Sequence, residues 1–219
     1  MNNNKLSAKN IAFNKIRDMI LANELTDSEI INENELAKEL QISRTPIREA
    51  LNRLESEGYI RIFPNRGAMV IRLDVSRIVQ ICQVREGLER VAIRIACKNI
   101  NIKKIKQIRE ELVSIEGLDD TANMERAFQC GQNLHSEIIN CTGNDILIRY
   151  MENMNAQMSR ITATCRTLKE KAKEIKQEHL NIIDALLEED CDRAERAILN
   201  HIIGVEHEVV DMFKRDLYE

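Results

Sequence analysis

The sequence predicts a mainly α protein: a winged helix-turn-helix of three helices plus a β-hairpin, followed by an all-α antiparallel bundle of about six helices. Three observations carry that reading. Ser43 to Tyr59 puts Ile47, Ala50, Leu51 and Leu54 at three- and four-residue steps, the apolar stripe of a helix packed against a core. Two short β-branched runs, Tyr59 to Phe63 and Ala68 to Leu73, flank Pro64-Asn65-Arg66-Gly67, a hairpin signal. Past Leu73 the pattern is helical throughout. Both prolines lie in the first third, there is no Trp, and Ile, Leu, Glu, Lys and Asn are abundant, which favours long helices over a large β domain.

Taken in order, residues 1–6 are polar, and from Ser7 to about Glu24 the positions Ile11, Ile16, Met19 and Ile20 recur at helical spacing. Leu25 to Ile31 reads as a connector. Asn32 with Glu35 forms a capping box opening a short helix through Leu40, and Gln41-Ile42 leads by a tight turn into the next. For that third helix Ser43 or Thr45 offers a cap, Pro46 suits the first turn, and Gly58 provides the left-handed stop. Helix, helix, helix and hairpin in that order make the winged helix-turn-helix, with the third helix as the one that enters a major groove.

The charge pattern agrees. The whole chain has a net charge of −4, which would not suggest a nucleic-acid binder, yet Arg44 to Arg72 holds six arginines against Glu49, Glu55 and Glu57. Arg44, Thr45, Arg48, Asn52 and Arg53 fall off the apolar stripe, and a forked guanidinium suits guanine edges while free helix-terminal amides suit phosphate. Arg66 and Gly67 mark the wing tip, a place for minor-groove or phosphate contact. The run NELAKELQISRTPIREALNRLESEGYIRIFPNRGAMV resembles the DNA-binding domain of GntR-type bacterial transcription regulators, over nearly all of residues 10–73. The resemblance implies base reading by Arg44 and Arg48 and a phosphate contact by Thr45. Asn34 stands where the family often has a backbone-contacting arginine.

Residues 74–219 read as the second domain, after 1–73. Asp74 caps a helix to about Lys98, Asn101 another to about Leu118, and four more run from about Thr121 to Cys141, Asp145 to Arg166, Lys169 to Glu188 and Asp192 to Leu217. Short connections predict antiparallel packing. The runs ICQVREGLERVAIRIA, LHSEIINCTGN, EHLNIIDALLEED and AERAILNHI resemble the all-helical effector domain called FCD, found in the FadR-type branch of the GntR family.

Four histidines occur, and three of them, His135, His179 and His201, sit on three different predicted helices. Neutral imidazoles suit zinc, nickel and similar ions. The resemblance implies that these three converge on one divalent metal ion and that an aspartate one turn before the first should join them. Here that position is Gly131, which leaves room for water or an effector carboxylate. Arg85 is where the FCD pattern places an arginine facing the ligand cavity, and a guanidinium can hold a carboxylate through two hydrogen bonds; an interhelical salt bridge with Glu86 or Glu89 is the plainer alternative.

The expectation is therefore a DNA-binding transcription regulator, a repressor in the usual case, binding a short palindromic operator as a homodimer and controlled by a small organic acid. Two rivals are a metal-dependent enzyme built on the three histidines and a non-specific architectural DNA binder. No paired carboxylates or Ser/His/Asp order support the first, and arginines suited to base edges oppose the second. The six cysteines show no CxxC pair and mostly sit in apolar helical patterns, no signal peptide precedes Asn2, and no apolar run reaches membrane-spanning length. A reduced, cytoplasmic protein is expected.

Overall fold

A computed structural model describes residues 7–22, 24–27, 29–64, 66–72, 74–164 and 170–215. The chain divides into two compact units, Met1–Leu73 and Asp74–Glu219. The turn residue Asn65, the thiol of Cys165, and the expected helix limits Arg166, Lys169 and Leu217 lie outside the described residues.

In the first unit α1 (Ala8–Leu21) buries Ala12, Phe13, Ile16 and Ile20 against α3 (Arg44–Ser56), whose buried face is Ile47, Ala50, Leu51 and Leu54. Between them in the chain comes α2 (Glu33–Glu39). The sheet has three antiparallel strands in the order β1-β3-β2: β1 Ile30–Ile31, β2 Ile60–Phe63 and β3 Gly67–Val70. Residue pairs Ile60 with Val70 and Phe63 with Gly67 set the hairpin register, and Ile31 pairs with Ala68. The segment 25–31, expected as a plain connector, thus ends in a strand; two residues are too few to show alternation in a sequence.

Caps differ in detail from expectation. Asn32 accepts only from the Asn34 amide at 2.8 Å, with no return bond from Glu35, so the capping box is a single Asx cap. Ser43 is the N-cap of α3 but makes no side-chain cap bond, and Thr45 lies already inside the helix. The C-terminal stop of α3 holds: Tyr59 N–H bonds Leu54 O at 2.9 Å and Gly58 N–H bonds Glu55 O at 3.0 Å, with Gly58 at φ 76°. The same six-to-one pattern closes α2 (Ile42 N–H to Ala37 O, 3.1 Å), but with Gln41 in the left-handed position at φ 54°. That costs about 1–2 kcal/mol relative to glycine and fixes the turn between α2 and α3.

The second unit is a bundle of α4 (Val75–Asn99), α5 (Ile102–Ser114), α6 (Thr121–Asn140), α7 (Asp145–Thr164), α8 (Ala172–Leu187) and α9 (Cys191–Arg215). Asp74, Asn101 and Asp120 each accept backbone amides at the starts of α4, α5 and α6. Helix α5 stops at Ser114, four residues before the expected end: Ile115 is already extended at ψ 109°, while Ile115 and Leu118 stay buried and continue the apolar pattern without the helix. α4 packs on α9, α7 and α6, and α8 packs on α9, α6 and α5. Ala92, Ile93, Leu134, Ile138, Ile182, Ile183, Ile198 and Ile202 meet in one core.

The cysteine expectation needs correction. Cys97 near the end of α4 and Cys191 at the start of α9 form a disulfide across 94 residues, which sequence spacing could not indicate. Cys82, Cys130 and Cys141 are free thiols; burial pushes each up to about 11, so none is a ready nucleophile. Among the described residues no helix is long and apolar enough to cross a membrane.

Candidate functional site: a DNA-reading helix and a three-histidine centre

Helix α3 holds its apolar stripe inward, which leaves Arg44, Thr45, Arg48 and Asn52 exposed. Arg48 is held by Glu33 of α2: its Nε donates to Oε1 and Oε2 at 3.2 and 3.3 Å and its Nη2 donates to Oε2 at 3.0 Å. Arg53 is differently engaged. Its guanidinium lies 3.9 Å from the centre of the Phe13 ring on α1 and its Nε donates to Glu57 at 2.8 Å, so its charge is spent on packing α3 against α1. The sequence places it among the DNA-facing side chains, and it remains 52% exposed.

The wing tip holds the other two expected residues, Arg66 and Gly67. Arg66 is exposed, its amide bonded to Phe63 O. Gly67 has φ 100°, and a Cβ there would stand 2.6 Å from Ile31 O and 2.8 Å from Ile30 Cγ2. Glycine is therefore demanded by backbone conformation and by the passing strand β1, independently of any approach to DNA.

In the second unit the three predicted histidines do converge. His135 on α6, His179 on α8 and His201 on α9 are all buried, and each offers a ring nitrogen within 4.8 Å of the others. Ring centroids are 5.5 Å apart for His135 and His179, 5.2 Å for His135 and His201, and 4.5 Å for His179 and His201. His207 is not part of the cluster.

Two carboxylates that the sequence did not link to the histidines complete the arrangement. Glu89 on α4 accepts from His135 Nδ1 at 2.6 Å, and Glu178 on α8 accepts from His201 Nδ1 at 2.8 Å. Each bond fixes a tautomer and leaves Nε2 free to face inward. Glu89 is fully buried; burial works to raise its carboxyl, but the Arg85 guanidinium and then the His135 ring overcome this and keep it ionised. Arg85 donates to Glu89 at 2.7 Å, one turn along the same helix, so the salt bridge forms within α4 and not between helices as expected. The available signals were the i,i+4 spacing of Arg85 and Glu89, and the position of Glu178 beside His179.

His179 is the unusual member. Only 4% exposed, it has no hydrogen-bond partner at either ring nitrogen. Burial pushes it well below the usual histidine range, with His201 and His135 adding to the effect; burial likewise takes His201 down to about 3. Both rings are therefore neutral at neutral pH, the form that donates a lone pair to a metal ion. Gly131 explains how the ring of His179 fits: a Cβ on Gly131 would lie 2.3 Å from His179 Cε1, 2.8 Å from Nδ1 and 2.9 Å from Nε2.

Residues 9–70 match the family described as bacterial regulatory proteins, gntR family, and residues 80–204 match the FCD domain. The chain is 27% identical over 175 residues to the Nta operon transcriptional regulator of Aminobacter aminovorans, covering 80% of this chain and 81% of that one. It is 24% identical over 179 residues to the HTH-type transcriptional repressor RspR of Escherichia coli, covering 82% and 78%. Among solved structures, E. coli McbR/YncC superposes with a TM-score of 0.77 at 17% identity, over 95% of this chain and 99% of that one. A putative GntR transcriptional regulator from Rhodococcus sp. RHA1 superposes with a TM-score of 0.75 at 14% identity, over 94% and 98%. The matched families and these relatives are transcriptional regulators rather than enzymes. The chain belongs to the gntR family of bacterial regulatory proteins, with an FCD domain behind its helix-turn-helix, and is a transcriptional regulator.

Proposed function

We propose that this regulator is a repressor that binds a short palindromic operator as a homodimer, and that its FCD domain, residues 74–219, holds one divalent metal ion, zinc or nickel, together with a small carboxylate effector. The observation that carries the metal reading is the orphaned ring of His179 between His135 and His201. A buried polar group left unpaired costs about 1–3 kcal/mol, and two ring nitrogens are so placed here. An ion bound to His135, His179 and His201 would relieve that cost through His179. The donor set fits: three imidazoles, two of them oriented by outer carboxylates, with the negative charge of Glu89 nearby to offset the cation.

When bound, the ion would supply a positive centre held by His135, His179 and His201, which suits the carboxylate of a small organic acid. Arg85 spends one edge of its guanidinium on Glu89 and keeps further N–H donors for a second carboxylate. Regulation follows if the effector binds the DNA-competent and DNA-incompetent arrangements with different affinity. On the DNA side Arg44 and Arg48 read bases, Thr45 fixes a phosphate, Asn52 lies further along the same exposed surface, and Arg66 reaches the groove beside the wing.

The test is a titration of chelator-stripped protein with zinc and with nickel, beside His179→Ala. Wild type should gain about 2.7 kcal/mol of stability at a hundredfold excess over Kd, and the variant much less. Identical melting of both at every metal concentration would show a water-filled pocket and end the metal reading.

A further inference from the structure

Arginine offers a base two different pairs of donors: a side edge of Nε–H with one Nη2–H, and an end edge of Nη1–H with the other Nη2–H. Both match the O6 and N7 acceptors of guanine. In this protein the choice is already made. Glu33 occupies the side edge of Arg48, taking Nε at 3.2 and 3.3 Å and Nη2 at 3.0 Å. The end edge is left over, on a side chain that remains 64% exposed.

We propose that Glu33 is a positioning residue for base readout, holding Arg48 by its side edge so that the end edge is presented to a guanine. This rests on the reading of Arg48 as a base contact. Local structure explains why the carboxylate is there. Glu33 is the first residue of α2, fixed by the Asn32 cap, and acidic groups are favoured in a first helical turn. The Gln41 turn then brings that end of α2 against α3 near its fifth residue, Arg48.

Two consequences follow. A free arginine carries several rotatable bonds that must be frozen on docking, and the Glu33 clamp removes part of that freedom beforehand. The carboxylate also repels the phosphate backbone, so Arg48 gains less from any duplex that lacks a guanine in reach. Glu33 therefore raises the ratio of specific to non-specific binding. Stability is little involved, because an exposed ion pair of this kind contributes hardly anything to folding.

The experiment compares wild type, Glu33→Gln, Glu33→Ala and Arg48→Ala in full-length protein, by fluorescence anisotropy and by melting temperature. The probes are a duplex that the wild type enriches from a random pool and a scrambled duplex of equal length. Each protein is also put through the same random-pool selection, to read its base preferences. For Glu33→Gln and Glu33→Ala the affinity ratio of selected to scrambled duplex should fall about tenfold, with unchanged melting temperature. The guanine preference that Arg48→Ala abolishes should weaken in both. If Arg48→Ala loses that preference while both Glu33 variants keep the wild-type ratio and profile, the positioning role is wrong and the Arg48 reading stands. If Arg48→Ala itself keeps the profile, both are wrong. Equal losses on the two duplexes with a lowered melting temperature would make Glu33 merely structural and overturn the proposal.

Discussion

Gly131→Ala should weaken both the fold and the histidine centre, and it isolates the packing argument from the charge argument. The added methyl carbon would stand 2.3 Å from His179 Cε1, where ordinary contact begins at 3.4 Å. The ring must therefore move by about 1 Å, whereas metal–ligand distances tolerate only about 0.2 Å. Overpacking a buried site costs ~1–3 kcal/mol, and a misplaced ligand should reduce zinc affinity by about 10–100-fold. Gly131→Asp makes the test sharper. The FCD resemblance expects an aspartate here, so sequence reasoning alone says that this change restores a fourth ligand. The geometry says that its Cβ meets the same imidazole and that affinity does not rise above wild type. Zinc affinity is measured by competition with a chromophoric chelator, and apo stability by urea unfolding. Wild-type affinity and stability in Gly131→Ala, or tighter zinc binding in Gly131→Asp, would refute this account of His179.

Other perturbations report on separate parts of the structure. With the metal removed, stability should be constant above pH ~6.5 and fall as pH drops towards 3, because the unfolded chain protonates its histidines near 6.5 while His179 and His201 in the fold resist. Glu89 adds in the same direction below its ordinary range, near 4.5, since its folded carboxyl is held lower; urea midpoints that do not move from pH 8 to 4.5 would contradict the histidine contribution, and midpoints that do not move further from 4.5 to 3 would contradict that of Glu89. Cys97→Ser should lower stability by ~2–4 kcal/mol, given the 94-residue separation of the bridged cysteines, and reduced wild type should unfold like the variant. An identical midpoint for oxidised wild type would show that the bridge contributes nothing. Arg53→Ala should lose about 1 kcal/mol of stability from its stacking on Phe13 and leave affinity for a selected duplex unchanged; a specific loss of DNA affinity would return Arg53 to the DNA-facing set.

Local signals in the sequence carried far where one element decides the outcome. The stripe Ile47, Ala50, Leu51, Leu54 and the glycine stop at Gly58 define α3 almost to the residue, because periodicity and a left-handed C-cap are local properties. Asp74 and Asn101 mark helix starts for the same reason. The three histidines became a cluster only through family resemblance, since no spacing along the chain brings α6, α8 and α9 together. What stayed hidden depends on pairs distant in sequence. Glu89 reaches His135 across 46 residues, Glu33 reaches Arg48 across 15, and Cys97 meets Cys191 across 94. Gly131 shows the limit most clearly: the sequence marks a ligand as missing, and the packing shows the space filled by His179.

The most direct measurement of the central claim is selection from a random duplex pool with the purified full-length protein, followed by sequencing and by affinity measurement on the winner and a scrambled control. The account predicts enrichment of a two-fold symmetric site with guanine in each half, half-sites about one helical turn apart, and binding at least ~10³-fold tighter than to the scrambled duplex. A pool that emerges unenriched, or equal affinity for both duplexes, would contradict it.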